Sequence, residues 1–439
     1  MQLISDILSK KRLFFLLLGL FLFRVFYGLT SEFWFEDELQ IYLIGLKSFT
    51  QHLWPYYGPD VVYTNTQIPG AAQGLLVSLP FYLLPIPESP TLFLNILSFF
   101  SLLLFARYIL FRIKGMPAWL VYLLVLASPM TLFFSTRVVN PSYVVTFSFL
   151  FFVAWFESLE FYKERWLKPW VSYLILGVTA TLIMQLHLSW VLLFPLLGFS
   201  FFRLFTLHRG SFLRLTAIWV AGALIGLITL FPTLLNPDVH AGNVSSNIVF
   251  NLSNFGKIFT VFSRYVLLAG FDINYLLGGS TEARLAVLKE FWFLIPIAPY
   301  LLILGFAQVL LFIAVYFMIK DGNDWKWVKR INLFVFLMVW VSFFFSIKGP
   351  STHAFVIVMP LPVFYSIYVY RWFISRWKWG FTFIKITVVA MVIFSFGLSL
   401  YNLKHKSLYT DREKVVKAIE EKDYHVLGER RSDVWGYGF

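Results

Sequence analysis

Apolar segments long enough to cross a bilayer core, roughly 17–25 residues each, recur at 13–29, 91–112, 117–135, 141–157, 169–186, 188–206, 215–232, 292–319, 331–347, 353–370 and 381–402. The pattern predicts an all-α polytopic membrane protein of about 11 transmembrane helices. A further apolar stretch, Ile68 to Ile86, is broken up by Pro69, Pro80, Pro85, Gly70 and Gly74. It reads as an interfacial or re-entrant helix rather than a span. The basic residues decide this point. They cluster at Lys10/Lys11/Arg12, Arg107/Arg112/Lys114, Lys163/Arg165/Lys168, Arg203/Arg209/Arg214, Lys320/Lys326/Lys329/Arg330 and Arg371/Arg376/Lys378. If 68–86 does not cross, all six clusters fall on the cytoplasmic side; if it crosses, the last five are exported.

This parity makes residues 1–402 one transmembrane unit with its amino terminus inside. The extracytoplasmic side then receives the first loop, 30–90, the short turns at 137–141, 186–189 and 348–352, the long loop 233–291, and the tail 403–439. In the first loop Leu39, Tyr42, Leu43, Leu46 and Phe49 recur at helical spacing, which predicts an amphipathic helix over 38–49 lying along the membrane surface. In the second long loop 248–271 is apolar but interrupted by Asn251, Asn254, Lys257 and Arg264. The tail carries one short helical pattern, 411–422.

Composition excludes a soluble protein. Of the 439 residues 59% are hydrophobic and 13% charged, with 52 Phe, 22 Tyr and 16 Trp, and mean hydropathy is +0.75; no water-facing surface can be built from the remainder. The formal charge of +13 resides mostly in the short basic clusters that set topology, so no nucleic-acid partner is implied. Cysteine is absent, which removes disulfides and thiolate metal sites. Leu13–Leu29 is followed by Thr30-Ser31-Glu32 rather than a small-residue cleavage site, so it is expected to stay as the first transmembrane helix.

Against that background Glu36-Asp37-Glu38 requires a reason, because carboxylates near a bilayer are costly unless compensated. One acid in the first turn of a helix complements its dipole; three in succession stand about 100° apart and cannot share that role. A carboxylate at such a rim suits a general base acting on a hydroxyl or amine. Arg137, in the turn that also holds Asn140, and Lys348, before His353, are cations on the face where the positive-inside bias disfavours them. Converging from separate loops, they would suit a phosphate, with Arg137 alternatively snorkelling to lipid. Arg24 lies near the outer end of the first helix, placed to pair with or orient a neighbour. His187 and His240 are supporting candidates whose ordinary reading is a hydrogen-bonded packing residue. No His/Asp/Glu group has zinc spacing; a magnesium- or manganese-type ion on Asp37 and Glu38 is the open alternative to a metal-free site.

Taken together, the first-loop acids, the Pro-containing interfacial segment, the Arg137-x-x-Asn140-Pro141 turn and the Lys348-Gly349-Pro350-x-x-His353 run leading to Pro360-Leu361-Pro362 resemble the GT-C superfold glycosyltransferases. The nearest likeness is to bacterial aminoarabinose transferases of lipid A and protein O-mannosyltransferases. The resemblance implies a GT-C fold in the cytoplasmic membrane with its active site on the extracytoplasmic face. It implies a polyprenyl-phosphate sugar donor, an extracytoplasmic lipid, glycan or protein acceptor, and inverting transfer without a required cofactor. On it, Asp37 matches the catalytic aspartate and Glu38 the acid beside it, while Lys348 and the stretch from His353 to Pro362 match the motif that binds the carrier phosphate. Thr66-Gln67-Ile68-Pro69 lacks the basic or His residue often found before that Pro, and Asn140 stands where many members carry Asp, which weakens a metal shared between two acidic loops. The rival readings are a lipid-linked-sugar flippase or other transporter, whose ionisable groups sit near the midplane, and a non-catalytic scaffold.

Overall fold

The computed structural model describes residues 2–31, 36–61, 66–236, 249–270, 272, 276–277, 281–319, 322–347, 349–405 and 412–423, with the backbone alone for 2–10, 31, 36–39, 60–61, 66, 283, 323–324 and 405. Helices dominate. Among the described residues seven are long and apolar enough to cross a membrane, and nine if each of two bent helix pairs is one span. Two further apolar helices coincide with expected spans but hold only 17 residues, Ser142–Ser158 (α7), and 16, Pro169–Met184 (α8). At 1.5 Å per residue they are about 24–26 Å long, short of a core of roughly 30 Å unless the adjoining turns contribute.

The chain opens with α1, Gln2–Ser31. The first loop follows as α2 (Glu36–Gln51), a two-stranded antiparallel hairpin, β1 (Tyr57–Val61) with β2 (Thr66–Pro69), and α3 (Ala72–Leu83). The hydrophobic period correctly anticipates α2, but its setting differs from expectation. Gln40, Ser48 and Thr50 are each 4% exposed, as buried as Ile41 and Leu46. The helix is therefore enclosed by α3 and β1 and does not lie half-open on a surface. Its polar positions turn inward because the loop folds back over them.

α3, at 12 residues, is about 18 Å long and too short to cross. Both of its ends lie against α2: Ile44 packs near Gly74, and the Tyr42 hydroxyl donates to the Pro87 carbonyl at 2.7 Å. Gly70, at φ +110°, makes the turn between β2 and α3, where any side chain would collide with Gln185; only glycine meets both demands.

Four helices follow: α4 (Ser89–Arg112), α5 (Ala118–Leu126), α6 (Pro129–Ser135), then α7. The expected single span 117–135 is bent by 50° between α5 and α6, because Pro129 cannot donate to the preceding turn and holds Ser128 extended. Arg24 occupies the break. Its Nη1 donates to the Leu126 carbonyl at 2.8 Å, and its Nη2 to the Ser98 and Ser135 hydroxyls at 2.7 and 2.9 Å.

After α8, the 3-10 helix Leu188–Leu192 leads into α9 (Leu193–Leu207), then α10 (Phe212–Leu227) and α11 (Phe231–Leu235). α8 and α10 are in close contact because Gly222 and Gly226, four apart on α10, meet Leu174, Val178 and Thr181 of α8 where a Cβ would clash. Small residues at this spacing let helix backbones approach inside a membrane. The rest comprises α12 (Ile258–Leu267), α13 (Thr281–Glu290), α14 (Leu294–Met318), α15 (Asn323–Ser342), the 3-10 helix Thr352–Val358 bent by 71° against α16 (Pro360–Arg376), α17 (Gly380–His405) and α18 (Arg412–Glu421).

The contacts sort the connecting turns into two ends. At one, Asn95 donates to the Thr136 carbonyl at 2.9 Å, Gln73 to that of Asn140 at 3.3 Å, Thr233 to that of Tyr56 at 2.7 Å, and Asn254 to that of Phe343 at 2.9 Å. At the other, Arg112 pairs with Glu157 and donates to the Glu164 carbonyl, His208 meets Glu160 at 2.7 Å, Arg203 reaches the Leu159 carbonyl, and Phe161 stacks on Trp327 at 4.1 Å. Four of the basic clusters thus share one end, as they do whether or not 68–86 crosses; it is the length of α3, 12 residues, that speaks against a crossing.

Two outcomes test this framework. Topology reporters fused near Ser89 and after Asp423 should agree with each other and oppose a reporter near Gly115. Arg24→Leu should lower unfolding stability in detergent by about 2–3 kcal/mol, since it leaves a buried carbonyl and two hydroxyls without their donor; Arg24→Lys, able to reach one acceptor, should lose roughly half as much.

Candidate functional site

The candidate site lies at the end opposite the basic clusters. Glu36 is the first residue of α2, which follows the end of α1 after four residues. Position 37 shares a helical face with Gln40, Ile41 and Ile44 through the i, i+3, i+4 and i+7 relation, and those three are buried. The side chains of Glu36, Asp37 and Glu38 lie outside the described structure, as do Lys348 and His240.

The Arg137–Ser142 turn stands beside this loop. Arg137 is 2% exposed. Its guanidinium lies over the Phe133 ring at 3.7 Å, and its Nε donates to the Phe133 carbonyl at 3.2 Å. It is a sheltered cation anchored to its own helix rather than one snorkelling to lipid. The Asn140 carbonyl accepts from Gln73, and the Tyr143 hydroxyl donates to the Leu76 carbonyl. In the first loop and this turn, Gln40 Nε2, Gln67 Oε1, Gln73 Oε1, Asn140 Oδ1 and Ser142 Oγ are buried without hydrogen-bond partners among the described residues. Each such group forfeits about 1–3 kcal/mol until water or a ligand satisfies it. These groups are themselves neutral, offering amide acceptors and a donor beside the Arg137 cation.

The Gln185–Ser189 turn joins this region to the remainder of the site. Gln185 meets the hairpin through Gly58 and Gly70, and its Nε2 donates to the Gly226 carbonyl at 2.8 Å. On the other side of the turn the 3-10 helices Leu188–Leu192 and Thr352–Val358 pack together, which draws His187 toward His353. His187 precedes the first of these in extended conformation, φ −162°. Its Nδ1 accepts from the Ser189 backbone N–H at 3.1 Å. Neutral His187 therefore carries its proton on Nε2, which has no hydrogen-bond partner among the described residues. Burial, with a smaller contribution from His353, pushes the imidazole pKa down to about 4. His353 is exposed, with Nε2 3.3 Å from the Ser351 hydroxyl.

The structure adds two cations that sequence reasoning noted only as interruptions of an apolar stretch. Arg264 of α12 donates to the Pro350 carbonyl at 2.5 Å, and the Lys257 ammonium stands against Gly349. Asn251 Nδ2 reaches the Ser346 and Ile347 carbonyls at 3.3 Å. The second long loop thus grips both sides of position 348 and brings positive charge to it. Arg24, by contrast, is committed to the α5–α6 break and stands apart from this surface.

Among the described residues no three His, Asp or Glu side chains converge as a metal would require. No family model, curated protein or solved structure matches this chain.

The protonation of His187 has a measurable consequence. Its folded-state pKa is depressed, so it contributes nothing to pH dependence while both states are neutral. As pH falls through the unfolded value of about 6.5, the unfolded chain gains a proton that the folded chain refuses until about 4. Melting temperature should therefore drop between pH 6.5 and 4, and His187→Gln, which keeps an acceptor for Ser189, should flatten that part of the profile.

Proposed function

We propose that this protein is a membrane glycosyltransferase of the GT-C type that transfers a sugar from a polyprenyl-phosphate carrier to an acceptor on the extracytoplasmic face of the cytoplasmic membrane. In this reading α7 and α8 also cross, which gives 11 spans with the tail outside. The observation that supports it most is the gathering, at one end of the bundle, of the acid-bearing start of α2, the Arg137–Asn140 turn, His187 and the loop around position 348. These come from four distant parts of the sequence. Two chemically distinct subsites result, as a transfer between a charged lipid and a hydroxyl acceptor requires.

In the reaction Asp37 takes the proton of an acceptor hydroxyl or amine as that atom attacks the anomeric carbon from the face opposite the carrier. The new bond to the acceptor forms as the bond from the anomeric carbon to the phosphate oxygen breaks. The departing polyprenyl phosphate carries the electron pair and an added negative charge. Lys348, with Lys257 and Arg264 beside it and Arg137 across the turn, meets that charge as it develops. His353 and the neutral Nε2–H of His187 add donors at the same rim. The orphaned amides of Gln40, Gln67 and Gln73, with Asn140, suit the hydroxyls of a sugar, which can both donate and accept. Exposed apolar side chains along the helices face the bilayer that holds the lipid tail. The transport reading gains nothing from Arg24, the buried cation within a span, since its Nη groups are held by fixed acceptors.

Asp37→Asn keeps the size and hydrogen-bonding capacity of the side chain while removing its basicity, so turnover with a polyprenyl-phosphate sugar should fall by roughly two to four orders of magnitude. Glu36→Gln should be much milder, and Glu38→Gln intermediate. Near wild-type turnover in Asp37→Asn protein would reject the assignment of the base, and unchanged cell-envelope glycolipids and glycoproteins in a strain lacking the chain would reject the transferase reading.

A further inference from the structure

The tail helix α18 returns across the whole length of the sequence to the helix that bears the acids. Val415, Ala418 and Ile419, spaced i, i+3 and i+4, are 0, 0 and 7% exposed, and α18 packs on α2. At its start Arg412 Nε lies 2.7 Å from Glu88 Oε1, and its Nη2 3.4 Å from Oε2, so the guanidinium engages both carboxylate oxygens. Glu88 adjoins Pro87, whose carbonyl accepts from Tyr42 of α2 at 2.7 Å. One face of α18 and one ion pair thus hold α2 from two directions, while the other face, with Glu413, Lys414, Glu420 and Glu421, is exposed. A helix of 10 residues is not stable alone; its order comes from this docking.

We propose that α18 is a clamp that fixes α2 against the α3–α4 turn, so that the carboxyl-terminal tail positions the acids at the start of α2. The clamp itself follows from packing alone; its effect on catalysis rests on the transferase reading above. Arg412, Glu88, Val415, Ala418 and Ile419 are positioning residues in this arrangement and touch no reacting atom.

The absence of cysteine in the chain makes a clean test. Single cysteines at Ala418→Cys on α18 and Ile41→Cys on α2, both at fully buried positions, are labelled separately with a fluorescent maleimide in detergent. Both thiols should react slowly in the otherwise native chain. Arg412→Glu should speed labelling at both sites by roughly fivefold, the effect of losing one partly exposed ion pair, and adding Glu88→Arg should restore protection. Val415→Asp should speed both more than tenfold. If the thiol at 418 opens while that at 41 stays protected, the tail docks without holding α2 and the proposal is overturned; unchanged labelling at both sites with Val415→Asp overturns it as well. In transfer assays the single charge reversals should lower kcat with KM unchanged, and the double reversal should recover it. Freed α2 with undiminished kcat would remove the positioning role. Labelling as expected in a chain that transfers no sugar would instead sink the transferase reading and leave the clamp standing.

Discussion

The arrangement depends on a mutual need between Arg24 and the break between α5 and α6. A guanidinium within a membrane-spanning helix is costly unless its donors are met, and a helix ended by Ser128-Pro129 leaves carbonyls without partners. Each supplies what the other lacks: Arg24 Nη1 takes the Leu126 carbonyl, while Nη2 ties in Ser98 of α4 and Ser135 of α6. The interaction ties α4, α5 and α6 to α1 and secures the 50° bend that Pro129 introduces. The bend in turn carries the Thr136–Asn140 turn to Asn95 and Gln73, so one side of the candidate site descends from a single cation below it.

The membrane character and the position of most helices were legible in the sequence because hydropathy acts over whole segments. The breaks were not read, although Ser128-Pro129 and Met359-Pro360 carried the signal: a proline inside an apolar run is permitted when neighbours re-satisfy the freed carbonyls, and those neighbours are distant in the chain. The same limitation explains α2. Periodicity identified the helix, but only tertiary packing determines that Gln40, Ser48 and Thr50 are buried with the apolar face. Tyr57-Gly58-Pro59-Asp60-Val61 lacks the alternation that marks a strand; the hairpin is closed by its own pairing and by the Gly70 N–H donating to the Tyr56 carbonyl, with Gln185 packed against Gly70. Lys257 and Arg264 were visible as residues, yet their meaning required the loop at 346–350 that they grip.

The two ends of the bundle use polar groups in different ways. At the basic end Glu157 has both oxygens engaged, one by Arg112 and the other by the Trp166 and Leu167 backbone N–H groups. Both Glu157 oxygens are thus satisfied, while Arg112 Nε and the Tyr108 hydroxyl beside it are buried without a hydrogen-bond partner among the described residues; such a buried pair contributes rigidity and register more than net stability. At the opposite end, amides of the first loop and of the Asn140 turn are buried with atoms unmatched, and cations stand about position 348. A fold keeps unmatched polar groups where water or a ligand completes them.

That contrast bears on how the chemistry would be divided. On the proposed reading a carrier phosphate needs strong, directional positive charge, and the loop at 346–353 would draw it from Lys257 and Arg264. An acceptor or sugar hydroxyl needs weaker, reversible partners, because a charge pair strong enough to hold it would also retain the product. On the proposed reading the neutral amides beside α2 meet that need. On the proposed reading, charge for the leaving group and neutrality for the hydroxyls are opposite requirements, and the Gln185–Ser189 turn stands between the two regions, meeting the hairpin at Gly70 on one side and leading into the helix packed on Thr352–Val358 on the other.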